Sequence, residues 1–176
     1  MRIIAGTHRG SRLVTPKGLE TRPTGDRVRE AAFNLIGPVD GATVLDLFAG
    51  SGALGLEALS RGAARAVFVE SNRAAGRAIE QNLDRLRLRG TVVLQDAVKA
   101  LQMEAQAGRR YDLVLVDPPY EMFRDLQPAL ARILPQVLAD DGLLVVETDA
   151  RVDPELPLEL RTSRRYGRAR LTLFGH

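Results

Sequence analysis

The spacing of apolar positions changes character along the chain. Before about residue 40 it is irregular. Arg2–Ala5 and Arg12–Thr15 are short β-like runs on either side of THRG, which predicts a small hairpin, and GLETRPTGDR reads as loop. Thr24 or Asp26 is placed to cap a helix running through Phe33–Ile36, with Val28, Ala32, Phe33 and Leu35 as apolar positions and Gly37-Pro38 as its stop.

From Ala42 onward a strand–helix alternation sets in. Strands are expected at Thr43–Leu47, Ala66–Glu70, Thr91–Leu94, Asp112–Val116 and Leu143–Glu147. Between them lie helical stretches at Ala53–Arg61, Asn72–Arg89 and Val98–Ala107, and a proline-interrupted one ending near Ala139. Leu158–Tyr166 and Ala169–Phe174 around Gly167 read as an antiparallel hairpin. Such alternation implies right-handed crossovers and a mostly parallel, doubly wound α/β sheet. Ligands in such a sheet sit at the carboxyl ends of the strands.

The 176 residues suffice for one such domain, with no room for a second large one. The absence of cysteine excludes disulfides and thiolate metal sites, and His8 and His176 form no ligand pair, so no metal is expected. The apolar runs are strand-sized, and MRIIAGTHRG holds no stretch of signal-peptide length. The expectation is a cytoplasmic monomer that engages no membrane.

Net charge is +3, but unevenly spread. Residues 1–29 carry seven Lys/Arg against Glu20 and Asp26, and RTSRRYGRAR carries five arginines and no acid. An acidic body with basic ends suits a polyanionic partner.

Two motifs carry chemistry. VLDLFAGSGALGLEAL places Gly50-x-Gly52-x-x-Gly55 between a strand and a helix, and Glu70 follows twenty residues beyond Gly50, ending the next strand. The glycines permit a tight turn and close approach of backbone to ligand, and the carboxylate accepts hydrogen bonds from ribose hydroxyls. That much fits a nicotinamide or flavin dinucleotide as well as S-adenosylmethionine. Asp46, just before the turn, favours the methyl donor, because it suits a cationic amino-acid end better than a pyrophosphate. Asp96, after the third strand, is placed both to cap a helix and to accept from an adenine amino group.

The second motif is YDLVLVDPPY, where a strand runs into Asp117, Pro118, Pro119 and Tyr120. The prolines offer no N–H, so the carbonyls before them stay available as rigid acceptors. An exocyclic amino group of a base is a poor nucleophile, its lone pair being delocalised into the ring. The Asp117 carboxylate and Pro118 carbonyl would bind its two N–H groups and aim the lone pair, with Tyr120 stacking on an unpaired or flipped base.

Together with RIIAGTHRGSRL and RPTGDRVREAAFNLI, these motifs resemble those of the bacterial family that methylates guanine N2 in 16S ribosomal RNA, the small-subunit rRNA methyltransferase D type. The likeness runs from Arg2 to the final hairpin. It implies a Rossmann-like seven-stranded methyltransferase fold with a small N-terminal β-hairpin extension, residues 1–24 being the extension and 25–176 the domain. It also implies S-adenosylmethionine as donor and 16S rRNA, within the 30S subunit or an assembly intermediate, as partner, the target being guanine 966 in the usual rRNA numbering. By the same resemblance Thr24, Arg27, Asp46, Phe48, Gly50, Ser51, Gly52, Glu70, Asp96 and Ala97 surround the donor. Asp117 stands where many relatives carry Asn, and either residue accepts the hydrogen bond. Arg9, Arg12, Lys17 and Arg22, with Arg164, Arg165 and Arg168, form the expected RNA surface. The alternative is a DNA adenine-N6 or cytosine-N4 methyltransferase, which would share the second motif. A non-catalytic RNA-binding factor and a dinucleotide oxidoreductase are the rivals from other classes.

Overall fold

The computed structural model describes residues 1–16 and 25–176. Helix α1 (Asp26–Ile36) precedes strand β1 (Thr43–Leu47), after which α2 (Ala53–Ser60), β2 (Arg65–Glu70), α3 (Arg73–Leu86), β3 (Gly90–Leu94), α4 (Ala97–Gln106) and β4 (Tyr111–Val116) alternate. A single 3-10 turn over Tyr120–Met122 leads into α5 (Phe123–Val137), followed by β5 (Leu138–Asp149), β6 (Glu159–Tyr166) and β7 (Ala169–Gly175). The strands form one seven-stranded sheet in the order β3-β2-β1-β4-β5-β7-β6. Strands β1 to β5 are mutually parallel, and β7 runs antiparallel to both β5 and β6. This is the Rossmann-like methyltransferase fold expected from the sequence.

The inner strands are apolar on both faces because helices cover both. On one side Val44, Phe68, Leu115 and Val145 pack with Leu56, Phe33 and Ile79. On the other Leu45, Val114, Val116 and Val146 meet Leu101, Phe123, Leu130 and Leu134. Strand order reverses between β1 and β4, because β2 and β3 build outward on one side and β4 and β5 on the other. A crevice therefore opens at their carboxyl ends.

The N-terminal segment closes as the expected small hairpin about one antiparallel bridge, Arg2 with Arg12. Leu13 N donates to Met1 O at 3.0 Å, Ile3 N to Ser11 O at 3.0 Å and Gly10 N to Ile3 O at 2.8 Å. Beyond this short ladder the backbone is held by side chains of the domain. Ile4 N and Ala5 N donate to the two carboxylate oxygens of Glu57, each at 2.9 Å, and Asn82 brackets Val14 with bonds of 2.8 and 3.0 Å. Ile3 and Leu13 belong to the same apolar cluster as Val44 and Phe68. The boundary expected after residue 24 falls at the end of the undescribed stretch.

Smaller differences have local causes. Gly25 is the N-cap of α1 with no side-chain cap, and the Asp26 carboxylate meets Arg29 at 3.0 Å instead. Helix α3 ends before Arg89, at Leu86, because Arg87 takes a left-handed conformation with φ 52. Strand β5 begins at Leu138, five residues earlier than its apolar core suggests, through a register irregularity between Tyr111 and Leu113. Among the described residues no helix is long and apolar enough to cross a membrane.

Candidate functional site

At the carboxyl ends of β1, β2, β3 and β4 lies an open cleft of about 560 Å³. Both sequence motifs reach it. Asp46, Phe48, Gly50, Ser51, Glu70, Asp96 and Ala97 line it from one side, and Asp117, Pro118, Pro119 and Tyr120 from the other.

The glycine turn is shaped as its sequence requires. Gly50 and Gly52 have φ of 56 and 76, in the left-handed region open to glycine at little cost. Phe48 shares that region with φ 60, which is costly for a residue with a side chain and is a feature of binding sites. The Glu70 carboxylate fastens the turn: Gly50 N donates to Oε2 at 2.7 Å and Asn72 N to Oε1 at 2.8 Å. A carboxylate offers about four acceptor positions, so both oxygens retain capacity toward the cleft.

Asp46 is 1% exposed, and its Oδ2 accepts from Gly55 N at 2.9 Å. Gly55 allows this approach, since a Cβ there would fall 2.3 Å from a Phe68 ring carbon. Burial pushes the Asp46 carboxyl up to about 8, the Gly55 amide opposes the shift, and the charges of Asp117 and Glu70 add to it. The carboxyl is therefore largely protonated at neutral pH and becomes an anion when a cation is brought beside it.

Asp96 is exposed and caps α4, its Oδ1 accepting from Lys99 N at 3.0 Å. Ser51 donates to the Met1 sulfur at 3.3 Å, which brings Met1 to the cleft wall. No sequence signal marks that contact.

On the second side, β4 ends in Asp117, whose N–H reaches Leu47 O at 3.5 Å. Pro118 is buried, Pro119 exposed, and Asp117 and Tyr120 half-buried. The Tyr120 hydroxyl donates to Glu147 Oε1 at 3.1 Å. Glu147, at the end of β5, was missed in the sequence because LLVVETD reads simply as a strand running out into polar residues. Its only advance signal is position, one residue beyond Val146, which pairs with Val116 next to Asp117. The alternation of side chains in β2, β1, β4 and β5 puts Glu70, Asp46, Asp117 and Glu147 on one sheet face. Glu70, Asp96, Asp117 and Glu121 line the cleft, so the crevice is acidic. Such a surface disfavours a pyrophosphate and suits a cationic ligand with an amine beside it.

The remaining sequence-assigned residues divide. Arg27 is exposed on the first turn of α1 and does not line the cleft. Lys17, Arg22 and Thr24 lie outside the described residues. The bend that carries Arg9 is bonded to Ser60, at the end of α2 remote from the glycine turn, through Thr7 N at 2.8 Å and His8 N at 3.0 Å. Arg12 is exposed and its carbonyl accepts from Arg85, near the C-terminal end of α3. Arg164, Arg165 and Arg168 are exposed where β6 turns into β7. That turn lies beside the carboxyl end of β5, because Ala169 pairs with both Asp149 and Tyr166, and so faces the same end of the sheet as the cleft.

Comparison with known proteins agrees with this architecture. A family model described as conserved hypothetical protein 95 matches residues 1–175. Ribosomal RNA small subunit methyltransferase D of Escherichia coli is 43% identical over 152 residues, 85% of this chain and 75% of that protein. The solved structure of yhhF from Escherichia coli is 40% identical, with a TM-score of 0.87 over 99% of this chain and 96% of that one. A SAM-dependent methyltransferase from Agrobacterium tumefaciens, 18% identical, shares the fold, with a TM-score of 0.67 over 84% of this chain and 60% of that one. The chain belongs to the family of ribosomal RNA small subunit methyltransferase D.

Proposed function

We propose that this protein transfers a methyl group from S-adenosylmethionine to the exocyclic N2 of one guanine in the 16S rRNA of the small ribosomal subunit. The observation that carries the reading is the joining of two motifs in one cleft, with Glu70 and Asp46 on one wall and Asp117-Pro118-Pro119-Tyr120 on the other. Family membership supports ribosomal RNA as substrate over DNA.

The residues present fit the donor. Glu70 would accept its ribose hydroxyls, Asp96 its adenine amino group, and Asp46, as an anion, would face its ammonium group. When bound, S-adenosylmethionine supplies an electrophilic methyl on a good leaving group. What the chain then contributes is orientation. The Asp117 carboxylate and Pro118 carbonyl accept the two amino N–H groups of the base, which turns the nitrogen lone pair toward the donor. Asp117 takes the released proton late, and the Tyr120 ring stacks on the base. Arg164, Arg165 and Arg168 hold phosphates beside an otherwise acidic entrance, a contact that weakens as salt rises.

Incubation with labelled S-adenosylmethionine and unmodified small subunits, followed by digestion to nucleosides, tests the reading. Label in N2-methylguanosine is expected. Label in N6-methyladenosine, or labelling of DNA and not of subunits, would overturn it.

A further inference from the structure

Beyond the two motifs, the geometry points to Glu147 as a positioning residue: its carboxylate holds the Tyr120 hydroxyl and so fixes the ring on which the target base stacks. The inference rests on the proposed function and adds to it a residue from a different strand.

Three observations converge. The Tyr120 hydroxyl donates to Glu147 Oε1 at 3.1 Å, across 27 residues of sequence. Glu147 is 4% exposed, and it shares with Asp117 a space of only about 10 Å³ walled by Ala32, Leu115, Val145 and Leu171. That space is too small to admit a base, so Glu147 acts through Tyr120 and not by touching substrate. Finally, the turn that carries Tyr120 makes few backbone–backbone hydrogen bonds among the described residues. Pro118 and Pro119 have no N–H to give, Asp117 N reaches Leu47 O only at 3.5 Å, and Met122 N bonds within the turn, to Pro119 O. The side-chain bond to β5 ties the ring to the sheet.

The test is a double-mutant cycle on methylation of small subunits at saturating donor, read as labelled nucleoside. Glu147→Ala and Tyr120→Phe are each expected to lower kcat roughly tenfold, the loss of one orienting hydrogen bond, while the donor Kd stays within about twofold. In the Tyr120→Phe background Glu147→Ala should cost clearly less than in the wild type, because this bond is already gone. Glu147→Gln, whose amide oxygen still accepts from the hydroxyl, should recover most of the lost rate. Full additivity of the two losses, or no rescue by Gln, overturns the assignment. A crystal structure of Glu147→Ala gives a readout independent of turnover: a displaced Tyr120 ring supports it, and an unmoved ring overturns it. Wild-type label in a nucleoside other than N2-methylguanosine defeats the guanine reading beneath it, and the cycle is then judged on that product.

Discussion

Two carboxylates at the β1–β2 end of the cleft, Glu70 and Asp46, are held by main-chain amides, those of Gly50, Asn72 and Gly55. At the β4–β5 end the acceptor carbonyls are set by prolines, and the aromatic ring is tied by a side chain, Glu147. The first end is thus as rigid as the sheet and turn that make it. The second end depends on a hydrogen bond between groups on separate elements. On the proposed function this division matches the two ligands: the donor would meet fixed backbone, and the base would meet a ring held in place by a side chain from a separate strand.

The largest effect should come from Asp117→Ala. Losing both orientation and proton acceptance is expected to lower methyl-transfer turnover by roughly a thousandfold, measured as label incorporated into small subunits. If turnover stays near wild type, the base end has been misassigned.

Glu70→Ala strikes the other end. Calorimetry should show donor affinity falling by roughly ten- to a hundredfold, since hydrogen bonds to a charged group are lost and the turn at Gly50 is released. An unchanged affinity would mean that Glu70 serves the turn alone.

Gly55→Ala probes the packing that lets Asp46 sit beside α2. The added methyl meets the Phe68 ring at 2.3 Å and the Asp46 carboxylate at 3.0 Å, so a stability loss of about 1–3 kcal/mol is expected in denaturant unfolding. No loss would show that the helix shifts freely.

The smallest effect is one of pH. Asp46 is raised from 3.8 to about 8 in the folded protein, so its contribution to stability is complete below the unfolded value and is lost as pH rises through about 8. A cationic donor favours the ionised form. Donor affinity measured between pH 6 and 8 should therefore rise several-fold and then level off, with proton release on binding at neutral pH. A flat profile would remove Asp46 from the cationic end of the donor.

The same division explains what the sequence disclosed. The donor end is written in local pattern, because a strand, positive-φ glycines and an acid at the next strand's end are all set by short-range geometry. Asp117-Pro118-Pro119-Tyr120 is legible for the same reason, the prolines declaring their effect on the backbone. Glu147 is not, since its role arises from parallel register between β4 and β5, which no local pattern encodes. The N-terminal hairpin is legible for the same local reason as the motifs, its two β-like runs closing on the Arg2–Arg12 bridge. Its docking is not, since Glu57 and Asn82 reach Ile4, Ala5 and Val14 from distant helices. The resemblance assigns Arg9 to the RNA surface, and its distance from the cleft is not legible, since it is set by contacts of Thr7 and His8 with Ser60 at the far end of α2.

The independence of the two ends is most directly tested by titrating S-adenosylmethionine into Asp117→Ala and assaying the same preparation on small subunits. The account predicts donor affinity within about threefold of wild type alongside the loss of methyl transfer. Loss of affinity and transfer together would contradict it, showing a single site whose two walls cannot be separated.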